Sequence, residues 1–493
     1  MRVHLINAPW IERKGKTDST VEVGETKFTP YGVLYLAGYL RDKIKDVEIK
    51  VTDGLVEGLY TTLKKIIRFS PDIVGISSTT ANSTGAYQLS NLIRKELPNT
   101  LIVMGGTHAT AMPEDVLRRS AVDIAAIGEG EVVFTEIVKN YAKSMSRNKR
   151  LYKKIRGLVY FDKGKIKRTG IMPLIKNIDE IPFPARDLID FSPYKGFLLA
   201  KEQPETNLFS TRGCPFNCAF CSNPVWKVQK PWLRLRSPKN IMDEVEEMRD
   251  KFGFREYFDQ SDELNSSIPW AISVAQEKIR RKIDMPWKAQ LRADLVTEEL
   301  VKNLARSNLW YVHLGIESGN NRTLRGIGKN ITLDQVIRAC RLLKKYGIKV
   351  AGLFMLFNIW EENGKLVYED LEATRRTLMF AKKLLKNRLV DYISWTQTTP
   401  YPGSRLWDIA LRHNIIKPEY MGKWENWNEV WSFVVDLPGV SERDKQKIKV
   451  QGEVIRAMYA LRAGLTNLNN IDFIVRKGVT VIKNFMKTMV LRT

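Results

Sequence analysis

The sequence predicts an α/β protein: a doubly wound parallel sheet at the N-terminus, a partial β/α barrel of six units in the middle, and a helical C-terminal region. Three observations predict it. Short apolar runs alternate with amphipathic stretches in two long series. A proline-punctuated segment, NIDEIPFPARDLIDFSPY (177–194), separates those series. The chain has 493 residues, more than one core organises.

In the first series the expected strands are RVHLIN (2–7), VEIKVTD (47–53), DIVGISS (72–78), LIVMGG (101–106) and DIAAIG (123–128). Helices are expected over 30–44, 59–69, 84–96, 113–119 and 131–143. A doubly wound sheet binds ligands beyond the carboxyl ends of its strands. Those ends carry Asp53-Gly54, Ser77-Ser78-Thr79-Thr80, Gly105-Gly106-Thr107-His108 and Gly128-Glu129-Gly130-Glu131. Small and hydroxylated residues there let the backbone come close to a large ligand. Taken singly, each stretch also reads as an ordinary tight turn. GLVYFDKGKIKRTG (157–170) predicts a hairpin turning at Lys163-Gly164.

The second series offers strands NLFST (207–211), REYFDQ (255–260), WKAQLR (287–292), WYVHLGIE (310–317), KVAGLFMLF (349–357) and DYISWTQ (391–397). Helices fit 238–251, 268–281, 297–306, 332–346 and 367–385. Chemistry in such a barrel sits at the strand carboxyl ends. Residues 416–493 are expected to be mostly helical. The divisions are 1–176, a linker over 177–203, 204–415 and 416–493.

No apolar run reaches bilayer length, and MRVHLINAPW is too quickly polar for a signal peptide, which predicts a cytoplasmic protein. Net charge is +24, from 79 basic and 55 acidic residues. Such a surface suits phosphate-bearing partners or is simply solvated, and charge alone does not separate the two.

Three of the four cysteines lie in STRGCPFNCAFCSNP (210–224), just past the first strand of the second series. They are Cys214, Cys218 and Cys221; Cys340 lies far off in a helical pattern and reads as core. This is no disulfide framework. Three thiolates can hold a [4Fe–4S] cluster and leave one iron without a protein ligand. Structural zinc prefers four ligands, and no histidine or further cysteine lies within twenty residues.

The spacing C-x3-C-x-aromatic-C, with Phe220 as the aromatic, resembles the radical S-adenosylmethionine superfamily. RLRSPKNIMDEVEEM (234–248), QLRADLVTEELVKNL (290–304), HLGIESGNNRTLRGIGKNIT (313–332) and TPYPGSRLWDIA (399–410) resemble its subgroup with an N-terminal cobalamin-binding domain. Residues 1–200, with GGTHAT and IGEGE, resemble that domain. The resemblance implies a flavodoxin-like or Rossmann-like cobalamin domain ahead of a TIM-like radical barrel. It implies a [4Fe–4S] cluster on the three cysteines, S-adenosylmethionine on the open iron, and cobalamin.

It further implies residue roles. Phe220 would lie near the adenine. Asp259 and Asp262 stand where the family places carboxylates at the second strand. Arg292 would face the S-adenosylmethionine carboxylate, and Glu317 and Ser318 the ribose or amino group. Ser78, Thr79, Gly105, Gly106, Thr107, His108, Gly128 and Glu129 are expected around cobalamin, with His108 as a buttress of its turn rather than a cobalt ligand. Two departures stand out. LFNIWEENG (356–364) lacks the usual Gly-x-Pro-Gly-Glu-like turn, and no Asp-x-His-x-x-Gly occurs in residues 1–180.

The implied activity is methylation or other bond formation at an unactivated carbon of a small-molecule or lipid substrate. An external ferredoxin- or flavodoxin-like donor would supply electrons. A cyclase without cobalamin and a basic RNA-modifying enzyme are the alternatives, and nucleic acid ranks behind the other partners. A methylthiotransferase would need cysteines in residues 1–213, which hold none. A regulator with an inactive barrel is disfavoured by the intact cysteine trio. Two features point to an apolar substrate or a peripheral contact with anionic membrane. The tail IDFIVRKGVTVIKNFMKTMVLRT (471–493) is amphipathic as a helix, a pattern shared with helices that pack on a core. Trp424, Trp427 and Trp431 are expected on one helical face, lining a channel or docking on the barrel.

Overall fold

The structure, a computed structural model, describes residues 1–13, 16–17, 28–145, 152–194, 199–221, 227–427 and 433–464. The tail 471–493 and Trp431 lie outside the described residues.

Apolar strands such as IVGIS, buried along Ile73–Val74–Gly75–Ile76, need cover on both faces, and that selects a parallel sheet flanked by helices. The helix Leu59–Phe69 supplies such cover, burying Leu59, Leu63, Ile66 and Phe69 on one side. The first sheet runs Glu48–Asp53, Arg2–Asn7, Ile73–Ser77, Leu101–Gly105, Ile124–Ala126, then Leu158–Asp162 and Lys165–Arg168. Its first five strands are parallel and the last two antiparallel. With the chain's first strand second in space, this is the flavodoxin-like order.

The second sheet holds six parallel strands in chain order: Glu205–Leu208, Glu256–Asp259, Trp287–Leu291, Leu309–Glu317, Lys349–Leu356 and Tyr392–Gln397. It is the expected open barrel, with helices between successive strands.

Three expectations change. The strand expected over 207–211 splits: Glu205–Leu208 joins the sheet, while Thr211–Gly213 pairs antiparallel with Leu233–Leu235 in a separate ribbon. The helix expected from 367 begins at Leu371, capped by the Asp370 carboxylate, which accepts from the Ala373 N–H. Before it, Ile359–Glu362 and Lys365–Tyr368 form a hairpin turning at Asn363-Gly364, both at positive φ, as an Asn-Gly turn requires. Finally, the described residues within 416–427 and 433–440 are 3-10 turns and single bridges rather than helix, and the described part of the C-terminal region becomes helical only at Glu442–Gly464. No helix among the described residues is long and apolar enough to cross a membrane.

Candidate functional site

Two cavities lie at the strand carboxyl ends. The first, of about 360 Å³, opens between the two sheets. The expected residues Ser78, Thr79, Gly105, Gly106, Thr107, Gly128 and Glu129 line it from the first sheet. Asp262 lines it from the second, beside Gln260, Thr211 and Arg212. Its floor is paved with glycine. A Cβ on Gly32 or Gly128 would meet no protein atom within 4 Å, and both residues face the cavity. Gly106, at φ +95°, could not carry one, because that Cβ would lie 2.4 Å from the Ser78 carbonyl oxygen. The Ser78 hydroxyl is buried without a hydrogen-bond partner. A broad, low floor with an unsatisfied hydroxyl fits a large flat ligand such as a corrin.

His108 does not reach this cavity. It is fully buried, with Nε2 2.7 Å from the Tyr87 hydroxyl and Nδ1 3.2 Å from Thr80 Oγ1. Trp424 covers its ring edge-on at 5.2 Å. Burial pushes its pKa down, against the pull of Asp115. His108 packs behind its turn, and it is not among the residues that line the cavity.

The second cavity, of about 400 Å³, lies inside the barrel. Phe220, Cys221 and Glu317 line it, as does Gln397, whose side-chain oxygen is buried and unpartnered. Glu317 ends its strand at φ +66°, beside a register shift, and pairs with Lys329 at 3.1 Å. A non-glycine residue held there is strained, a feature that gathers at working sites.

The segment that carries the cysteines lines the first cavity through Thr211 and Arg212 and the second through Phe220 and Cys221. None of the four cysteines is in a disulfide. Gly213, at φ +84°, turns the chain into Cys214. Ala219 donates to the Ile327 carbonyl and accepts from the Leu406 N–H, both at 2.8 Å. Burial pushes the Cys214 thiol up to about 12 against the opposing backbone N–H of Phe216, and Glu263, Asp262 and Cys221 push the same way. Such thiols need a metal's charge to ionise. Among the described residues no three His, Cys, Asp or Glu side chains close around a single ion. Three thiols spread along one loop suit the separate corners of an iron–sulfur cluster better than zinc.

Of the remaining expected residues, Arg292 and Asp259 hold the cysteine segment, Ser318 does not, and none of the three lines either cavity. Arg292 stacks on Phe216 of the loop at 3.8 Å, donates to the Lys329 carbonyl and pairs with Asp294 at 2.8 Å. It is turned to the loop because the aromatic face and the carbonyl satisfy it there. Asp259 is buried and accepts from the Ser210 and Ser261 hydroxyls, tying down the residue before the ribbon. Ser318 is buried and donates to Glu369 at 2.6 Å. Lys329, Phe216, Arg212 and Gln397 are site residues that the sequence does not single out, and Glu131 stands in it only as the end of a strand-to-helix turn. Only the charge complement between IGEGE and STRG offered a signal for two of them.

Trp424 and Trp427 are buried, 5.3 Å apart, against Trp407. They dock the C-terminal segment and line neither cavity.

Comparison with known proteins agrees with this geometry. The B12 binding domain family matches residues 19–138, and the Radical SAM superfamily matches residues 208–372. An uncharacterized methyltransferase of Pyrococcus horikoshii is 34% identical over 404 residues, covering 81% of this chain and 82% of that one. The cytidylyl-2-hydroxyethylphosphonate methyltransferase of Streptomyces wedmorensis is 27% identical over 442 residues, covering 79% of each. The radical S-adenosylmethionine methyltransferase TsrM of Kitasatospora setae, solved with cobalamin and a [4Fe–4S] cluster bound, superposes with a TM-score of 0.65 at 16% identity, covering 83% of this chain and 78% of that one. With an N-terminal flavodoxin-like sheet, an open six-stranded barrel and a methyltransferase relative matched over four-fifths of its length, the chain belongs to the radical S-adenosylmethionine enzymes that carry a B12-binding domain.

Proposed function

We propose that this enzyme transfers a methyl group to an unactivated carbon of a small molecule. Cys214, Cys218 and Cys221 would hold a [4Fe–4S] cluster. Phe220 and Glu317 would contact S-adenosylmethionine, and the glycine floor would hold cobalamin. One observation carries the reading: the segment that carries the cysteines reaches both cavities, its neck lining the first and its far end the second. Thr211 and Arg212 face the first, and Phe220 and Cys221 face the second. When bound, the cluster with S-adenosylmethionine supplies a radical that removes hydrogen from carbon, and cobalamin supplies the methyl group.

The chain's own residues hold and shield these groups. Asp259 ties down Ser210 before the ribbon, and Arg292 braces Phe216 within the loop. The Glu317–Lys329 pair sets the rim of the second cavity. Phe220, Leu353, Phe354 and Met355 give that cavity an apolar side, and Glu317, His313, Ser394, Thr396 and Gln397 are among its polar points. This lining supports a substrate with an apolar body and at least one hydrogen-bond donor for the Gln397 oxygen. The support that tryptophans gave to a lipid is withdrawn, because Trp424 and Trp427 are packing residues. An external ferredoxin- or flavodoxin-like protein would provide the electron.

The test is anaerobic reconstitution with iron, sulfide and corrin quantified together, followed by assay for 5′-deoxyadenosine. About four irons per chain with stoichiometric corrin supports the reading. Zinc in place of iron overturns it, and iron without corrin removes the methyl-transfer half.

A further inference from the structure

The ribbon Thr211–Gly213 and Leu233–Leu235 is the neck from which the cysteine loop hangs. In its register Arg212 lies directly opposite Arg234. Like charges placed opposite one another on an antiparallel pair push it apart. Here both guanidiniums are largely withdrawn from water, which sharpens the repulsion.

The compensating charges come from the other domain. Arg212 donates to Glu131 at 2.5 Å and lies 3.5 Å from Glu129. Arg234 forms a forked pair with Glu129 and donates to the Ile175 carbonyl at 2.8 Å. Glu129 and Glu131 flank Gly130 at the start of the helix Gly130–Ser144, where the helix dipole also favours acids. The Arg212 guanidinium further lies over the Tyr35 ring at 5.4 Å. The turn that carries Gly128 and Gly130 of the cavity floor is therefore the turn that closes the neck of the loop.

We propose that these four residues form an interdomain clasp that fixes the cysteine loop relative to the glycine-paved cavity, with Arg212 and Arg234 as positioning residues. The proposal rests on the two-cofactor reading above. The four charges sum to zero. Removing one strands an uncompensated buried charge, whereas removing one of each sign restores neutrality.

The experiment uses the full chain, reconstituted anaerobically with cluster and cobalamin. Dipolar spectroscopy between the reduced cluster and Co(II) corrin reads their separation, to which it responds with the inverse cube of distance. Wild type is expected to give one narrow distance. In the fraction that retains both cluster and corrin, Glu131→Gln and Arg212→Gln are each expected to broaden it, and the double variant to narrow it again. Arg212→Lys, which keeps the charge and loses the fork, gives a smaller broadening and serves where a neutral variant does not fold. A wild-type distance in the single variants, or a double variant as broad as the worse single, overturns the clasp. Should wild type retain no corrin, the two-cofactor reading fails separately. Amide exchange at Gly213 and Leu233 then decides the clasp: about tenfold faster exchange in Glu131→Gln supports it, and unchanged exchange overturns it.

Discussion

Trp424 donates its indole N–H to a carboxylate oxygen of Asp115 at 2.7 Å, joining residues 309 positions apart. The same Asp115 oxygen accepts from the Tyr87 hydroxyl at 2.8 Å, and Tyr87 in turn meets His108. The C-terminal segment is thereby bolted to the B12-binding domain through the histidine that faces away from the cavity. Trp424→Phe keeps the ring and deletes one hydrogen bond to a charged group, so it should cost about 1.5–3 kcal/mol in urea melts. Trp424→Ala also opens a void and should cost about 3–5 kcal/mol. A Trp424→Phe cost near zero would show that the N–H contributes nothing.

Iron binding should divide the cysteines three to one. Alanine at Cys214, Cys218 or Cys221 should abolish most of the roughly four irons per chain. Alanine at Cys340 should leave iron unchanged, because that thiol is buried in the helix Leu333–Lys345, where burial pushes it up to about 12. Its cost should be a stability loss of about 1 kcal/mol, seen in melting alone. Iron lost from the Cys340 variant would contradict this assignment.

Periodicity made the parallel strands and most helices legible, since each buries a face that the sequence marks. The neck ribbon was not legible, because Arg212 finds Arg234 only through a pairing that the local pattern does not contain. The Asn363-Gly364 pair is itself a hairpin signal, but the helical pattern downstream of it masks the short strands on either side. The cysteine spacing pointed to the loop, whereas the placing of Arg292 depended on Phe216, which no spacing rule marks. The tryptophan trio misled about helix. A three-residue spacing also suits a tight turn whose rings pack against each other at a tilt, as Trp424 and Trp427 do.

Gly32 gives a test of the first cavity that leaves the fold alone. It lies in the first turn of the helix Tyr31–Lys43, lines the cavity, and has open space where a Cβ would stand. Gly32→Ala should stabilise the helix by up to about 1 kcal/mol and keep corrin. Gly32→Phe should fold, yet retain less than about a tenth of the wild-type corrin, because its ring occupies ligand space. Gly106→Ala is the contrast: its positive φ and its clash with Ser78 should lower stability and corrin retention together. Full corrin retention by Gly32→Phe would move the ligand elsewhere.

Two histidines should make the protein acid-sensitive. Burial, reinforced by Lys50 and Lys65, holds His4 down at about 3. Burial, reinforced by Lys288, holds His313 down at about 3. Their ordinary value is 6.5. Above that value both rings are neutral in the folded and unfolded chains, and their contribution to stability is fully present. Between 6.5 and about 3 the unfolded chain takes up two protons that the folded chain refuses, so stability falls as pH falls. Each pH unit in that window should remove about 2.7 kcal/mol, so moving from about pH 7.5 to about pH 5.5 costs roughly 3 kcal/mol. Urea midpoints at the two pH values read the loss directly. His4→Gln places an amide near Thr52, the His4 partner at 2.9 Å, and should halve the pH-dependent part. An unchanged slope in that variant would assign the acid sensitivity to other groups.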